Sequence, residues 1–263
     1  MNPSSITVSR AGAVATVTLA RPGVRNAFDA ATIAALHAAF IELGVQAQVR
    51  VIVLAAEGPA FCAGADLNWM RAMAGYSEAE NREDAMQLAR MLRAVAECPK
   101  PVIARVQGDA FGGGVGLVAA CDLAAAAAPA RFCLSEVKLG LIPATIAPYV
   151  LRAMGARAAQ RYTLTAEVFS AATAQQHGLV HEVAADAAQL DAQVQQWCAA
   201  LQAVSPQALA AAKRLLADVA ARHVNEALLA DTAERIAQAR ASDDGREGIA
   251  AFLQRRKPSW ANT

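Results

Sequence analysis

The alternation of strand-length apolar runs with stretches of helical periodicity constrains this chain most. Residues 14–20 and 49–55 are two such runs. Between them Ile33, Leu36, Phe40 and Leu43 recur at steps of three or four, which puts one apolar stripe on a helix that Asp29 can cap. Residues 101–106 form the next buried strand. Ser77 with Glu80 makes a capping box for a helix running towards Ala96, and Cys98-Pro99-Lys100-Pro101 stops it. Strands that cross over through helices in this way predict an α/β core. Residues 123–128 are almost all alanine, which propensity alone reads as helix. Asp122 before and Pro129 after leave too little length for one, so a short buried strand is predicted. From Ala144 onward the pattern turns almost wholly helical, with Ser170 opening one helix and Ser205-Pro206 another.

With 263 residues the chain can bury a sizeable core, and no linker divides it. A formal net charge of +1, with 18% charged and 56% hydrophobic residues, leaves no polyanion-binding footprint. The N-terminal ten residues lack an apolar run after a basic patch, and the longest apolar stretch, 117–130, is interrupted by Asp122 and Pro129. Neither a leader nor a membrane span is expected. Cys62, Cys98, Cys121, Cys133 and Cys198 are odd in number, scattered and never C-x-x-C, which suits a reducing cytoplasm and no metal knuckle. His37, His177, His181 and His223 lack zinc-protease spacing, no serine lies in a nucleophile elbow, and the histidines read as surface or helix-end polarity.

Two glycine-bearing loops remain. Phe61-Cys62-Ala63-Gly64-Ala65-Asp66-Leu67 follows the strand at 49–55, and its small side chains let a ligand approach main-chain N–H groups, or simply make a tight turn. Gly108-Asp109-Ala110-Phe111-Gly112-Gly113-Gly114-Val115-Gly116 follows the strand at 101–106 and opens a helix, where free N–H groups favour negative charge. Neither matches a P-loop or a dinucleotide fingerprint, and close packing explains the glycines equally well. Downstream, Glu136 sits among apolar neighbours in Leu134-Ser135-Glu136-Val137-Lys138-Leu139-Gly140-Leu141-Ile142-Pro143, a candidate proton carrier or a solvated surface carboxylate. Asp66, Asp122 and Cys62 read as a loop hydrogen-bonding group, a strand-start cap and a small buried thiol.

Six motifs in order, R-P-x-x-x-N-A at 21–27, F-C-A-G-A-D-L, K-P-V-I-A-x-V-x-G, F-G-G-G, A-C-D and S-E-V-K-L-G-L-I-P, resemble the crotonase (enoyl-CoA hydratase/isomerase) superfamily over nearly the whole chain. The resemblance implies a spiral of ββα units over residues 1–200 carrying an acyl-CoA site, and a helical C-terminal region, 201–263, that makes homotrimers, often paired into hexamers. It implies an oxyanion hole from the amides of Ala65 and Gly113, and proton transfer by Glu136. It places coenzyme A against Arg25, Ala63, Ala65 and Leu67, with Phe252 and Arg255 reaching its nucleotide end from a neighbouring subunit. Beyond the coenzyme A of the thioester substrate no cofactor or metal is implied. The chain departs from the family's two-glutamate pattern at Gly116, where G-G-G-x-E would have its acid. Glu136 is then expected to act alone, through an ordered water filling the space at Gly116. The motifs are closest to bacterial 3-methylglutaconyl-CoA and isohexenylglutaconyl-CoA hydratases, whose substrates carry a second carboxylate. Arg71, Arg82 and Lys138 are the nearby cations, none assigned to it. A Δ3,Δ2-enoyl-CoA isomerase with one base is the alternative enzyme. An RNA-binding or scaffold role is the alternative of another class, against which the near-neutral charge speaks.

Overall fold

The computed structural model describes residues 5–262; Met1 to Ser4, within the N-terminal stretch read above, and Thr263 lie outside the described residues. The strands are β1 (Ile6–Ala11), β2 (Val14–Leu19), β3 (Val51–Ala56), β4 (Ala60–Cys62), β5 (Val102–Val106), β6 (Asp109–Phe111), β7 (Leu123–Ala127), β8 (Arg131–Cys133), β9 (Phe169–Ser170) and β10 (Glu182–Ala184). The helices are α1 (Ala30–Val45), α2 (Leu67–Met73), α3 (Glu78–Ala96), α4 (Gly113–Ala120), α5 (Ala147–Thr165), α6 (Ala171–Gln176), α7 (Ala187–Gln202), α8 (Pro206–Val219), α9 (Glu226–Ala241) and α10 (Asp243–Leu253).

Successive turns of chain explain the architecture. After the β1–β2 hairpin, three turns (β3–β4, β5–β6 and β7–β8) each lay one strand in a large sheet and the next in a small one before going helical, and the last turn reverses this, β9 and α6 preceding β10. The large sheet has the order β1-β2-β3-β5-β7-β10, the small one β4-β6-β8-β9. Pairing is parallel from β2 to β10 and from β4 to β8, and antiparallel at β1–β2 and β8–β9. This is the expected ββα spiral.

Buried on both faces, the parallel strands read as continuous apolar runs instead of alternating ones. In β3, Ile52 and Leu54 join the main core while Val51, Val53 and Ala55 face a second cluster with Leu190, Val194 and Cys198 of α7. The alanine run at β7 works the same way, Ala124 and Ala126 facing one cluster and Ala125 the other, so pairing to β5 and β10 overrides helix propensity. The helix starts follow local chemistry: the side chains of Asp29, Ser77, Ser170 and Ser205 each accept a backbone N–H of the first turn. The almost wholly helical reading after Ala144 missed β9 and β10, of two and three residues, because nothing so short shows a period.

Of the last three helices, α8 is tied to the core by an ion pair. Lys213 Nζ of α8 lies 2.7 Å from Asp122 Oδ2, whose same oxygen accepts the Val102 N–H at 2.7 Å and so caps β5. Leu216, Val224, Phe252 and Leu253 remain exposed. No helix among the described residues is long and apolar enough to cross a membrane.

Candidate active site

Residues 21–27 act as a clamp on the first loop. Asn26 is buried at φ 55°; its Oδ1 accepts the Arg21 N–H, and its Nδ2 donates to the carbonyls of Glu57 and Ala60, both at 2.8 Å. Arg21 donates to the Ala27 carbonyl and to Asp66 Oδ2 and pairs with Asp29. Burial pushes the Asp66 carboxyl up, but N–H donation from Asn68 and Trp69 at the start of α2, with Arg21, holds it below the usual range. Asp66 is thus the loop hydrogen-bonding group its sequence position suggests, capping α2.

So anchored, the loop meets Phe28 across a parallel bridge: Phe28 N–H donates to the Gly64 carbonyl and Asp66 N–H to the Phe28 carbonyl, each at 2.7 Å. A residue flanked by such a pair turns its own N–H away from the partner strand. The Ala65 N–H is thus outside the ladder. Gly64 takes φ 93°, and a Cβ there would lie 3.1 Å from the Phe111 carbonyl oxygen, so the two glycine loops touch.

In the second loop Gly112 has φ 52° and ψ −120°, backbone that only glycine adopts readily, and its N–H donates to Cys133 of β8. Gly113 is the first residue of α4, where an N–H has no carbonyl one turn back to receive it. Cβ atoms at Gly113 and Gly114 would lie 2.9 Å from the Phe28 ring and 2.5 Å from the Cys62 carbonyl oxygen. The close-packing reading of the triple glycine holds: that packing brings the helix end to the first loop.

Glu136 opens a 3-10 turn, Glu136–Leu139, directly after β8. It is half-buried, its Oε2 buried without a hydrogen-bond partner among the described residues, and its Oε1 would sit 3.2 Å from a Cβ at Gly112. Burial pushes its carboxyl above the ordinary value, opposed weakly by its own backbone N–H. One cavity of about 620 Å³ is lined by Ala63, Ala65, Leu67, Gly113 and Glu136 together.

The remaining sequence candidates fall elsewhere. Arg25, at φ 52°, accepts the Ala63 N–H on its carbonyl but does not line the cavity; Phe252 and Arg255 are exposed at the end of α10 and do not line it either. Arg71 bonds Asn68 and Arg82 pairs with Glu78, while Lys138 is exposed in the same turn as Glu136. Among the described residues no Arg, Lys or His lines the cavity. Burial drives the Cys62 thiol up to about 12, leaving it inert. His181 accepts the Ala124 N–H on Nδ1 and His177 closes α6.

One expectation is overturned. There is no space beside Gly116 for an ordered water: a Cβ there would lie 2.2 Å from Ile146 Cγ2, so Ile146 already fills the volume. Phe28, Trp69, Asp84 and Ile146 also line the cavity and were not singled out from sequence. Trp69 Nε1–H donates to Asp84 Oδ1 at 3.1 Å, linking α2 to α3 across 15 residues, for which no motif spacing is a signal.

The raised carboxyl has a stability consequence. Its folded-state value lies above its unfolded value, so the folded state holds the extra proton in that window and loses stability as pH rises through it. Glu136→Gln removes that penalty. The variant should melt above the wild type at neutral pH and level with it in acid below the ordinary carboxylate range, as thermal denaturation across pH will read; a lower melting point at neutral pH would contradict the burial.

Comparison with known proteins gives the family. The enoyl-CoA hydratase/isomerase family model matches residues 9–263. Enoyl-CoA hydratase ACTT6 of Alternaria alternata is 37% identical over 199 residues, 76% of this chain and 65% of that protein, so the match spans just under two thirds of its length. The 2,3-dehydroadipyl-CoA hydratase of Escherichia coli K12 is 35% identical over 98% of both chains. A crystal structure of an enoyl-CoA hydratase from Shewanella pealeana superposes with a TM-score of 0.94 at 43% identity, covering 97% of this chain and 96% of that one.

Proposed function

Since the chain belongs to the enoyl-CoA hydratase/isomerase family, we propose that it adds water across the double bond of a 2-enoyl-CoA, with Glu136 as the single acid/base. The reading rests on the one cavity shared by Ala65, Gly113 and Glu136. The thioester oxygen lies between the Ala65 and Gly113 N–H groups, which donate most strongly when negative charge builds on it in the enolate-like transition state. Glu136 carboxylate accepts a proton from water as the oxygen bonds to the β-carbon. The same carboxyl then returns a proton to the α-carbon, which restores the thioester and the ionised acid. Arg25, Ala63, Ala65 and Leu67 hold the coenzyme A portion. Phe252 and Arg255 reach its nucleotide end from a neighbouring subunit of a homotrimer or hexamer formed through the helical region 201–263.

The acyl group in this proposal is 3-methylglutaconyl or a close analogue. Two observations support it: the glutaconyl-type motifs around Gly116 and Glu136, and a relative named for a CoA thioester of another dicarboxylic acid. Arg71, Arg82 and Lys138 are the nearby cations for the second carboxylate; none of them lines the cavity, and none is assigned to it. Crotonyl-CoA, 3-methylglutaconyl-CoA and a 3-enoyl-CoA, each incubated with the protein and analysed by product, test the reading. Hydration fastest on the glutaconyl thioester is the expected result. Double-bond migration of the 3-enoyl thioester without hydration of the other two would overturn it in favour of an isomerase.

A further inference from the structure

Gly116 lies in the middle of α4, fully covered, and Ile146 is the buried residue that precedes α5. A Cβ at 116 would meet Ile146 Cγ2 at 2.2 Å and Ile146 Cβ at 2.7 Å, so one branched side chain occupies the place where residue 116 would send its own. The Ile146 backbone is fixed there, its carbonyl accepting the N–H groups of Tyr149 and Val150 at 3.1 Å. Helix packing alone would need nothing more. Yet Ile146 also lines the cavity that holds Glu136, Ala65 and Gly113.

We infer that Ile146 is a positioning residue standing in for a second acid: it closes the Gly116 wall with hydrocarbon and commits both proton movements to Glu136. This rests on the hydration reading above. The titratable or charged groups around Glu136 fit it: Cys133 from β8, Lys138 in its own turn, and Asp84, which reaches the cavity from α3 already holding the Trp69 N–H. Among the described residues Asp84 is the one carboxyl besides Glu136 that lines the cavity, and the volume beside Gly116 itself is filled by Ile146. A hydrocarbon wall there limits the poses of the reacting carbons, and a displacement of about 1 Å at a reacting centre can cost 100-fold.

The test measures crotonyl-CoA hydration by the full-length protein across the pH range in which it stays folded. Wild type should show one acidic limb in kcat, from ionisation of Glu136, and no alkaline limb. Ile146→Ala should lower kcat at least about tenfold, with KM within about threefold and the one-limb shape kept. Gly116→Glu combined with Ile146→Gly should gain an alkaline limb, from an added carboxyl that must be protonated to act. A wild-type profile with two limbs, or Ile146→Ala that lowers the melting point and leaves kcat intact, overturns the inference. A folded double variant that keeps one limb overturns it as well. Should that variant not fold, the Ile146→Ala kinetics decide. The hydration reading fails in a different way, by wild-type protein that hydrates no enoyl thioester at all.

Discussion

Glu136→Gln lowers kcat for hydration by about 100- to 10,000-fold, the range a positioned general acid/base contributes, while KM changes little. The amide fills the same volume and preserves the packing beside Gly112, but it can neither accept a proton from water nor hand one to the α-carbon. Among the described residues Asp84 is the one other carboxyl lining the cavity, and it already accepts the Trp69 N–H. Steady-state kinetics on crotonyl-CoA, with binding of an unreactive acyl-CoA as control, check it, and turnover within tenfold of wild type removes Glu136 from the mechanism. The pH dependence carries the same information. Hydration begins with an ionised carboxyl, so kcat falls as pH drops through a value that burial has raised, and the limb lies above the ordinary glutamate range of about 4.3.

Gly113→Pro should lie about 100- to 1,000-fold below Gly113→Ala in kcat, the usual cost of losing one oxyanion donor. Alanine controls for the Cβ, which in both replacements meets the Phe28 ring at 2.9 Å, while proline adds its ring carbons and restrains Gly112 as well. Only proline deletes the N–H, and the first position of a helix is where proline is best tolerated. Circular dichroism confirms that both variants fold, and kcat is then read for each. Equal losses would mean that Gly113 serves packing between α4 and Phe28 and not the developing oxyanion.

Much of the fold was legible because its causes are local. The caps at Asp29, Ser77, Ser170 and Ser205 depend on a side chain and an N–H three residues on, and the stripe of Ile33, Leu36, Phe40 and Leu43 on one helical period. The motif Arg21 to Ala27 was legible only as a resemblance; its work, the hold of Asn26 on Glu57 and Ala60, spans more than 30 residues of chain. At the site, Glu136 among apolar neighbours and the glycine loops stood out by composition. The Trp69–Asp84 link and the face of Ile146 towards Gly116 did not, since no spacing announces a contact between residues on separate helices.

The sequence by itself determined where helices start, which runs must be buried, and that one carboxyl and two glycine loops exist to be used, because periodicity, caps and backbone freedom are properties of a few adjacent residues. Only the tertiary structure decided that β9 and β10 complete the sheets, that Ala65, Gly113 and Glu136 line one cavity, and that hydrocarbon from Ile146 occupies the ground beside Gly116. Those outcomes depend on strand register and on how closely two helices approach. Both are settled by packing the whole chain at once, not by any short stretch of it.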